Sequence, residues 1–102
     1  DRVFAQLRRQ ADGQEGLILY MDGVSLLDAG GLNAFLEFVD QANADGTKIV
    51  VADLQFQPLR TLARAGVEPV PGQLRFTPTL AEAIDAIDTL AGNARNHVAG
   101  SG

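Results

Sequence analysis

The segment Asp28 to Gly31 contains a carboxylate followed by two glycines at the expected start of a helix. Two glycines there could expose backbone N–H groups to a phosphate. However, neither G-x-G-x-x-G nor G-x-x-x-x-G-K-[ST] is present, and no lysine follows to meet the phosphate. Asp28 would also repel an anion. The pattern therefore favours Asp28 as a helix cap, with Gly30 and Gly31 allowing close approach to neighbouring backbone.

Acid–base catalysis is the second chemistry that these residues could support. Asp22, Asp28 and Asp53 each stand beside or after an apolar run, so their carboxylates could come together. No paired histidine, cysteine or nucleophile motif accompanies them: Ser25 has no base nearby in sequence, and His97 is the single histidine. Cysteine is absent, which excludes thiolate ligands and disulfides. We therefore predict a protein without catalytic activity, metal or cofactor.

Arg60 and Arg64 are four residues apart on an expected helix, so they share a face. On a chain of net charge −5 they form a local basic patch, which could bind an acidic partner. The alternative, a solvated helix face with cations near its C-terminus, stays open. The acidic balance makes nucleic acid an improbable partner.

The elements that position these residues alternate along the chain. Apolar residues at Val3, Phe4, Leu7 and Ala11 predict an amphipathic helix over residues 1–11. Continuous apolar runs predict buried strands, and 3.6-residue periodicity predicts helices. After the first helix, the expected order begins with strand 17–21, a helix from the glycines to before Gly46, and strand 48–54.

The next expected helix runs from Gln57-Pro58 to Gly66, with Leu59, Leu62 and Ala63 facing inward. A short strand, "LRF", follows, and the prolines around it are expected to blunt its edge. The last expected helix is capped by Thr79 and Glu82, and its apolar face consists of Leu80, Ala83, Ile84, Ile87 and Leu90.

This alternation predicts one α/β domain with a largely parallel sheet. The domain is expected over residues 1–91, and the aperiodic residues 92–102 are expected to form a flexible tail or linker. Loops after neighbouring parallel strands meet at one edge of such a sheet. The Asp28 loop and the Gln55–Pro58 turn are therefore expected to lie side by side.

The order and spacing of several motifs resemble the STAS domain, named after sulfate transporters and anti-sigma factor antagonists. The motifs are "LILYM", "LLDAGGL", "DGTKIVVADL", "QPLRTLARAG" and "FTPTLAEAI", and the likeness covers residues 17–87. "VSLLDAGGL" followed by "FQPLRTLARAGVEPVPG" is most similar to the cytoplasmic domain of bacterial SulP anion transporters, and above all to the dicarboxylic-acid uptake transporters. The resemblance implies the anti-sigma factor antagonist-like fold.

The chain departs from the family pattern in two places. STAS domains usually begin with two strands before the first helix, whereas residues 1–11 read as that helix, so the usual N-terminal strands are expected to be absent. In anti-sigma factor antagonists the motif D-S-[ST]-G carries a phosphorylated serine directly after the aspartate. Ala29 occupies that position and has no hydroxyl, so a phosphorylation switch is not expected.

The resemblance implies a non-catalytic regulatory domain of a SulP-type transporter at the cytoplasmic face of the inner membrane. Its implied partners are the membrane domain of the same transporter and an acidic protein such as acyl carrier protein, and homo-oligomerisation stays open. The alternatives are a free-standing anti-sigma antagonist-like signalling protein and a nucleotide-binding regulatory module. The expected interaction surface consists of Asp28, Ala29, Gly30, Gly31, Asn33, Gln57, Arg60 and Arg64.

Overall fold

The computed structural model describes residues 5–11 and 14–87. These residues form a four-stranded mixed sheet with helices on both faces. The elements are β1 (Ala5–Ala11), β2 (Gln14–Tyr20), α1 (Ala29–Ala44), β3 (Lys48–Ala52), α2 (Phe56–Arg64), β4 (Leu74–Thr77) and a final helix α3 whose described part is 80–87. The strand order is β1-β2-β3-β4, with β1 antiparallel to β2 and the other neighbours parallel. The predicted α/β class is confirmed.

The two central strands are buried on both faces because their side chains alternate between two cores. On one face, Leu17 and Leu19 of β2 and Ile49 and Val51 of β3 pack with residues of α1 and α2. On the opposite face, Ile18 packs with residues of β3 and α3, which are Val50, Ala52, Ala83, Ala86 and Ile87. The predicted strands 17–21 and 48–54 are therefore confirmed with different bounds: β2 begins earlier, at Gln14, and ends at Tyr20, and β3 ends at Ala52.

Local signals place the ends of the helices. Gly46 and Gly66 follow α1 and α2 with φ of 83° and 81°, the left-handed conformation that glycine adopts without strain. At the start of α3, the N–H of Glu82 donates to Thr79 Oγ1 at 3.1 Å, so the predicted cap is present. The predicted apolar face of α3 is confirmed over its described residues, and Leu90 lies outside them. The predicted tail, 92–102, also lies outside the described residues.

The predicted helix over residues 1–11 is wrong over residues 5–11, which form β1. Every residue of β1 pairs with β2, from Ala5 opposite Tyr20 to Ala11 opposite Gln14. Leu7 lies opposite Ile18 and Arg8 opposite Leu17, so a two-residue alternation places apolar and polar side chains on different faces. The expected absence of the family's two N-terminal strands is therefore also wrong, because β1 and β2 both precede α1.

The predicted inward face of α2 is also wrong in part. Pro58 and Leu62 are buried, whereas Leu59 is 49% exposed and Ala63 is exposed. Pro58 and Leu62 are one helical turn apart, and this row is the one turned to the sheet.

In residues 5–11 and 14–87, no helix has the length and apolar character needed to cross a membrane.

Gly16 of β2 tests the contact between α3 and the sheet. A Cβ at this position would lie 3.0 Å from both Cδ1 and Cγ2 of Ile87. We expect Gly16→Ala to lower the free energy of unfolding by about 1 kcal/mol, because the crowding outweighs the entropy gained from alanine. Urea denaturation measures the change. Gly23→Ala is the matched control, since no atom lies within 4 Å of its Cβ position.

The same crowding predicts coupling between the two residues. In an Ile87→Ala background, which lacks both Cδ1 and Cγ2, Gly16→Ala should cost less than in the native chain. Equal costs in both backgrounds would show that α3 does not pack on Gly16.

Candidate interaction surface

Two loops meet at the carboxyl ends of β2 and β3, as predicted. The first connects β2 to α1, and the second connects β3 to α2. Met21 continues the ladder beyond β2, because its N–H donates to the carbonyl of Ala52 at 2.9 Å. Met21, Val24 and Leu27 are buried, so the first loop is anchored in the core by apolar side chains at three-residue intervals.

Asp28 caps α1. It precedes the first helical residue, Ala29, and its Oδ1 accepts a hydrogen bond of 2.8 Å from the N–H of Gly31. The predicted cap is therefore confirmed. The carboxylate occupies one of the free N–H groups and places negative charge at the helix start, which opposes binding of a phosphate there.

Of the two glycines in this loop, Gly31 is the one whose neighbours leave no room for a side chain. A Cβ on Gly31 would lie 2.9 Å from Leu27 Cδ1, whereas one on Gly30 would meet only Asp28 Oδ1 at 3.6 Å. Gly31 therefore lets the buried Leu27 side chain pass close to the helix start. The predicted close approach to neighbouring backbone is therefore wrong: the atom that approaches Gly31 belongs to the Leu27 side chain, and Gly30 has no tight contact.

Gln57 joins the two loops. Its Oε1 accepts a hydrogen bond of 2.7 Å from the N–H of Leu27, and its Nε2 donates to the carbonyl of Leu27 at 3.3 Å. We call this two-bond contact the Gln57 clasp. Gln55 makes a second link, donating from Nε2 to the carbonyl of Asp22. The Gln57 side chain is thus hydrogen-bonded within the protein, and its predicted contact with a partner stays a prediction.

Large apolar side chains are exposed on both sides of the Gln57 clasp. Leu26 is 73% exposed and directly precedes Leu27, whereas Phe56 is 72% exposed and directly precedes Gln57. Leu59, one turn further along α2, adds a third. Of the five large exposed apolar side chains in the described part of the chain, these three lie within two residues of Leu27 or Gln57 in the sequence. Sequence reasoning missed Leu26 and Phe56, and assigned Leu59 to the core.

A cation adjoins this apolar area. The guanidinium of Arg60 lies 5.4 Å from the centre of the Phe56 ring, one helical turn away, in a cation–π arrangement. Arg64 ends α2 and is exposed, as predicted. At the start of α1, the exposed residues of the predicted surface are Asp28, Ala29, Gly30 and Asn33. We use the term docking surface for Leu26, Asp28, Phe56, Leu59 and Arg60.

Acidic groups and Tyr20 lie at the same sheet edge. The pKa of the Tyr20 hydroxyl is raised above 10.0 because burial disfavours the phenolate and the carboxylates of Asp22 and Asp53 repel it, with a hydrogen bond to Asp53 adding to the effect. Asp53 adopts a φ of 62°, which is uncommon outside glycine.

Within residues 5–11 and 14–87, no group of three or more His, Cys, Asp or Glu side chains is placed to hold a metal ion.

Loss of the Gln57 clasp should loosen the first loop. In Gln57→Ala, the N–H of Leu27 loses its partner in a partly buried setting, which costs about 1–3 kcal/mol of folding free energy. Hydrogen exchange at the Leu27 amide should accelerate. Gln57→Glu can accept but not donate, so its effect should be smaller. Gln41→Ala, an exposed change on α1, is the control. Unchanged exchange at Leu27 in Gln57→Ala would contradict the clasp.

The titration of Tyr20 can be followed alone, because it is the single tyrosine. Ultraviolet absorbance of the phenolate should give a midpoint above 10.0, and Asp53→Asn should lower that midpoint by removing a negative charge. The raised pKa stabilises the fold below pH 10.0, and this contribution is lost as the pH rises through the folded pKa. Tyr20→Phe should therefore flatten the alkaline fall in stability. A midpoint at or below 10.0 would contradict this.

Comparison with protein families matches residues 1–83 to the STAS domain. No curated protein matches the chain. The matched region includes β1, the capped loop, α1 and α2. STAS domains are generally non-catalytic and mediate protein–protein interactions in regulation. With 83 of its 102 residues matched, the chain belongs to the STAS domain family.

Proposed function

We propose that this chain is a non-catalytic regulatory domain that binds a protein partner through the docking surface. One observation carries the proposal: Leu26 and Phe56 are more than two-thirds exposed on either side of the Gln57 clasp. Exposed aromatic and aliphatic side chains next to an arginine are typical of protein interfaces. The clasp and the cap hold the backbone beneath them, so binding would cost little ordering entropy.

The chemistry of the surface favours a partner with an apolar patch and an acidic rim. Arg60 stands beside Phe56, and Arg64 continues the positive charge along α2. The whole chain has a net charge of −5, so an acidic partner would be attracted only where these arginines are concentrated. Acyl carrier protein belongs to this class of partner, and it is our second choice.

The first choice is the membrane domain of a SulP-type anion transporter, of the dicarboxylic-acid uptake kind, with this domain at the cytoplasmic face of the inner membrane. The likeness of "VSLLDAGGL" and "FQPLRTLARAGVEPVPG" to the domains of those transporters supports it. The observed cap and Ala29 add support, since the loop offers no hydroxyl at the position phosphorylated in anti-sigma factor antagonists. A free-standing anti-sigma antagonist-like protein is therefore the weaker candidate.

Phe56→Ser should weaken binding to the membrane domain by at least about tenfold, because interface aromatics contribute most of the affinity. We expect the parent reading frame upstream of Asp1 to encode a hydrophobic, multi-helix region. That region, expressed and purified as the membrane domain, is the binding partner in the test. Calorimetry with the 102-residue chain measures the affinity. Asp40→Asn, an exposed change on α1, should bind like the native chain.

Three outcomes would contradict the proposal. Equal affinity of the native chain and Phe56→Ser would place the contact elsewhere. Stoichiometric phosphorylation of the first loop by a cognate kinase would favour the anti-sigma antagonist alternative. Amide shifts at Gly30 and Gly31 on addition of GTP would favour the nucleotide-binding alternative. By contrast, absence of these shifts at high GTP concentration would exclude the nucleotide-binding alternative and leave the proposal standing.

A further inference from the structure

A pocket of about 510 Å³ lies at the end of the sheet opposite the docking surface. It is located beside the first residues of β3 and β4, Lys48 and Leu74, whereas the docking surface follows the last residues of β2 and β3. Pockets that bind small molecules have volumes of roughly 300–1,000 Å³. The size of this pocket therefore suits a small ligand.

The floor and walls of the pocket are apolar. Ile49 and Leu74 are 1% and 6% exposed, so they form a floor continuous with the core. Val70, at 42% exposure, forms a lip. Pro69, Pro71 and Phe76 complete the apolar lining. An aliphatic chain placed here would be removed from water.

The wall of the pocket is a turn fixed by hydrogen bonds. The N–H of Val70 donates to the carbonyl of Leu74 at 2.8 Å, and the N–H of Leu74 donates back at 2.9 Å. Gly72 adopts a φ of 78°, which reverses the chain between them. Both backbone groups of Leu74 are used, so a partner strand cannot pair with β4 at this residue. The prolines and this turn thus blunt the edge as predicted, which favours a small ligand over a peptide strand.

Two cations stand among the apolar lining residues. The Lys48 ammonium donates to the carbonyl of Gly72 at 2.9 Å, which fixes the charge at the turn. Arg75 of β4 is exposed and also borders the pocket, but it pairs with Val50, so strand alternation places its side chain on the face opposite Ile49 and Leu74. The Lys48 ammonium, held at the turn, is therefore the cation available to a ligand over that floor. Among the described residues that line the pocket, no side chain carries a carboxylate. On a chain of net charge −5, this pocket is complementary to an anionic head group.

We propose that this pocket binds a small amphiphilic carboxylate, with its aliphatic chain over Ile49 and Leu74 and its carboxylate near the Lys48 ammonium. The observations behind it are the preformed apolar floor, the fixed ammonium group and the absence of a carboxylate in the described lining. The site shares no residue with the docking surface, so either proposal can fail without the other.

Decanoate, kept below its micelle concentration, is the probe for the test. Titration into the isotope-labelled 102-residue chain should shift the amides of Val70, Leu74 and Phe76, and leave those of Leu26 and Phe56 unchanged. Octanoate should bind roughly tenfold more weakly, because two fewer methylene groups are buried. Decanol should bind more weakly than decanoate, because it lacks the charge.

Three variants locate the ligand. Lys48→Gln should weaken decanoate binding by about two- to fivefold, as expected for a partly solvated ion pair, whereas the control Arg64→Gln should have no effect. Val70→Asp should abolish detectable binding by placing a carboxylate at the lip. Val70 is partly exposed and its turn bonds use the backbone, so this variant should keep the amide dispersion of the native chain.

Several results would overturn the proposal. Absence of shifts at millimolar decanoate would do so, as would equal affinity for decanol and decanoate, or no effect of Val70→Asp. Shifts at these amides that depend on protein concentration, without any effect of decanoate, would show that a second copy of the chain covers the pocket.

Discussion

The parallel pairing of β2 with β3 is the constraint on which the rest of this structure depends. Both strands are buried on both faces, so each must supply apolar side chains in two directions. The α1 and α2 helices cover one face and α3 covers the other. Because the strands run parallel, the chain must leave β2 and β3 at the same sheet edge. The two loops that form the docking surface are brought together by this geometry.

The hydrogen bonds of those loops determine what the surface can do. In a phosphate-binding or catalytic loop, backbone N–H groups or carboxylates remain available to a ligand. Here the Asp28 carboxylate is engaged with Gly31, and the Gln57 amide is engaged with Leu27. These two polar side chains are used internally, and the apolar side chains Leu26 and Phe56 are exposed. This distribution suits protein binding and gives no support to phosphate chemistry.

The parts of the fold that the sequence predicted correctly have strong local causes. The apolar runs of β2 and β3, the aspartate before α1, and the glycines after α1 and α2 each act within a few residues of their position. The β1 strand was assigned as a helix because Leu7 and Ala11 also fit helical spacing. The alternation of Gln6, Leu7 and Arg8 was the available signal, but only pairing with β2 makes it decisive.

The sequence by itself determined the α/β class, the cap on α1 and the lack of a hydroxyl at Ala29, because each follows from residue types and their local order. The closeness of the two loops also required β2 and β3 to be neighbours in the sheet, which tertiary structure decided. Tertiary structure decided which side of α2 is buried and what Gln57 does. A short helix presents several plausible apolar rows, and contact with the sheet selects Pro58 and Leu62. That choice leaves Phe56 and Leu59 exposed, because burial depends on the neighbours that the fold supplies.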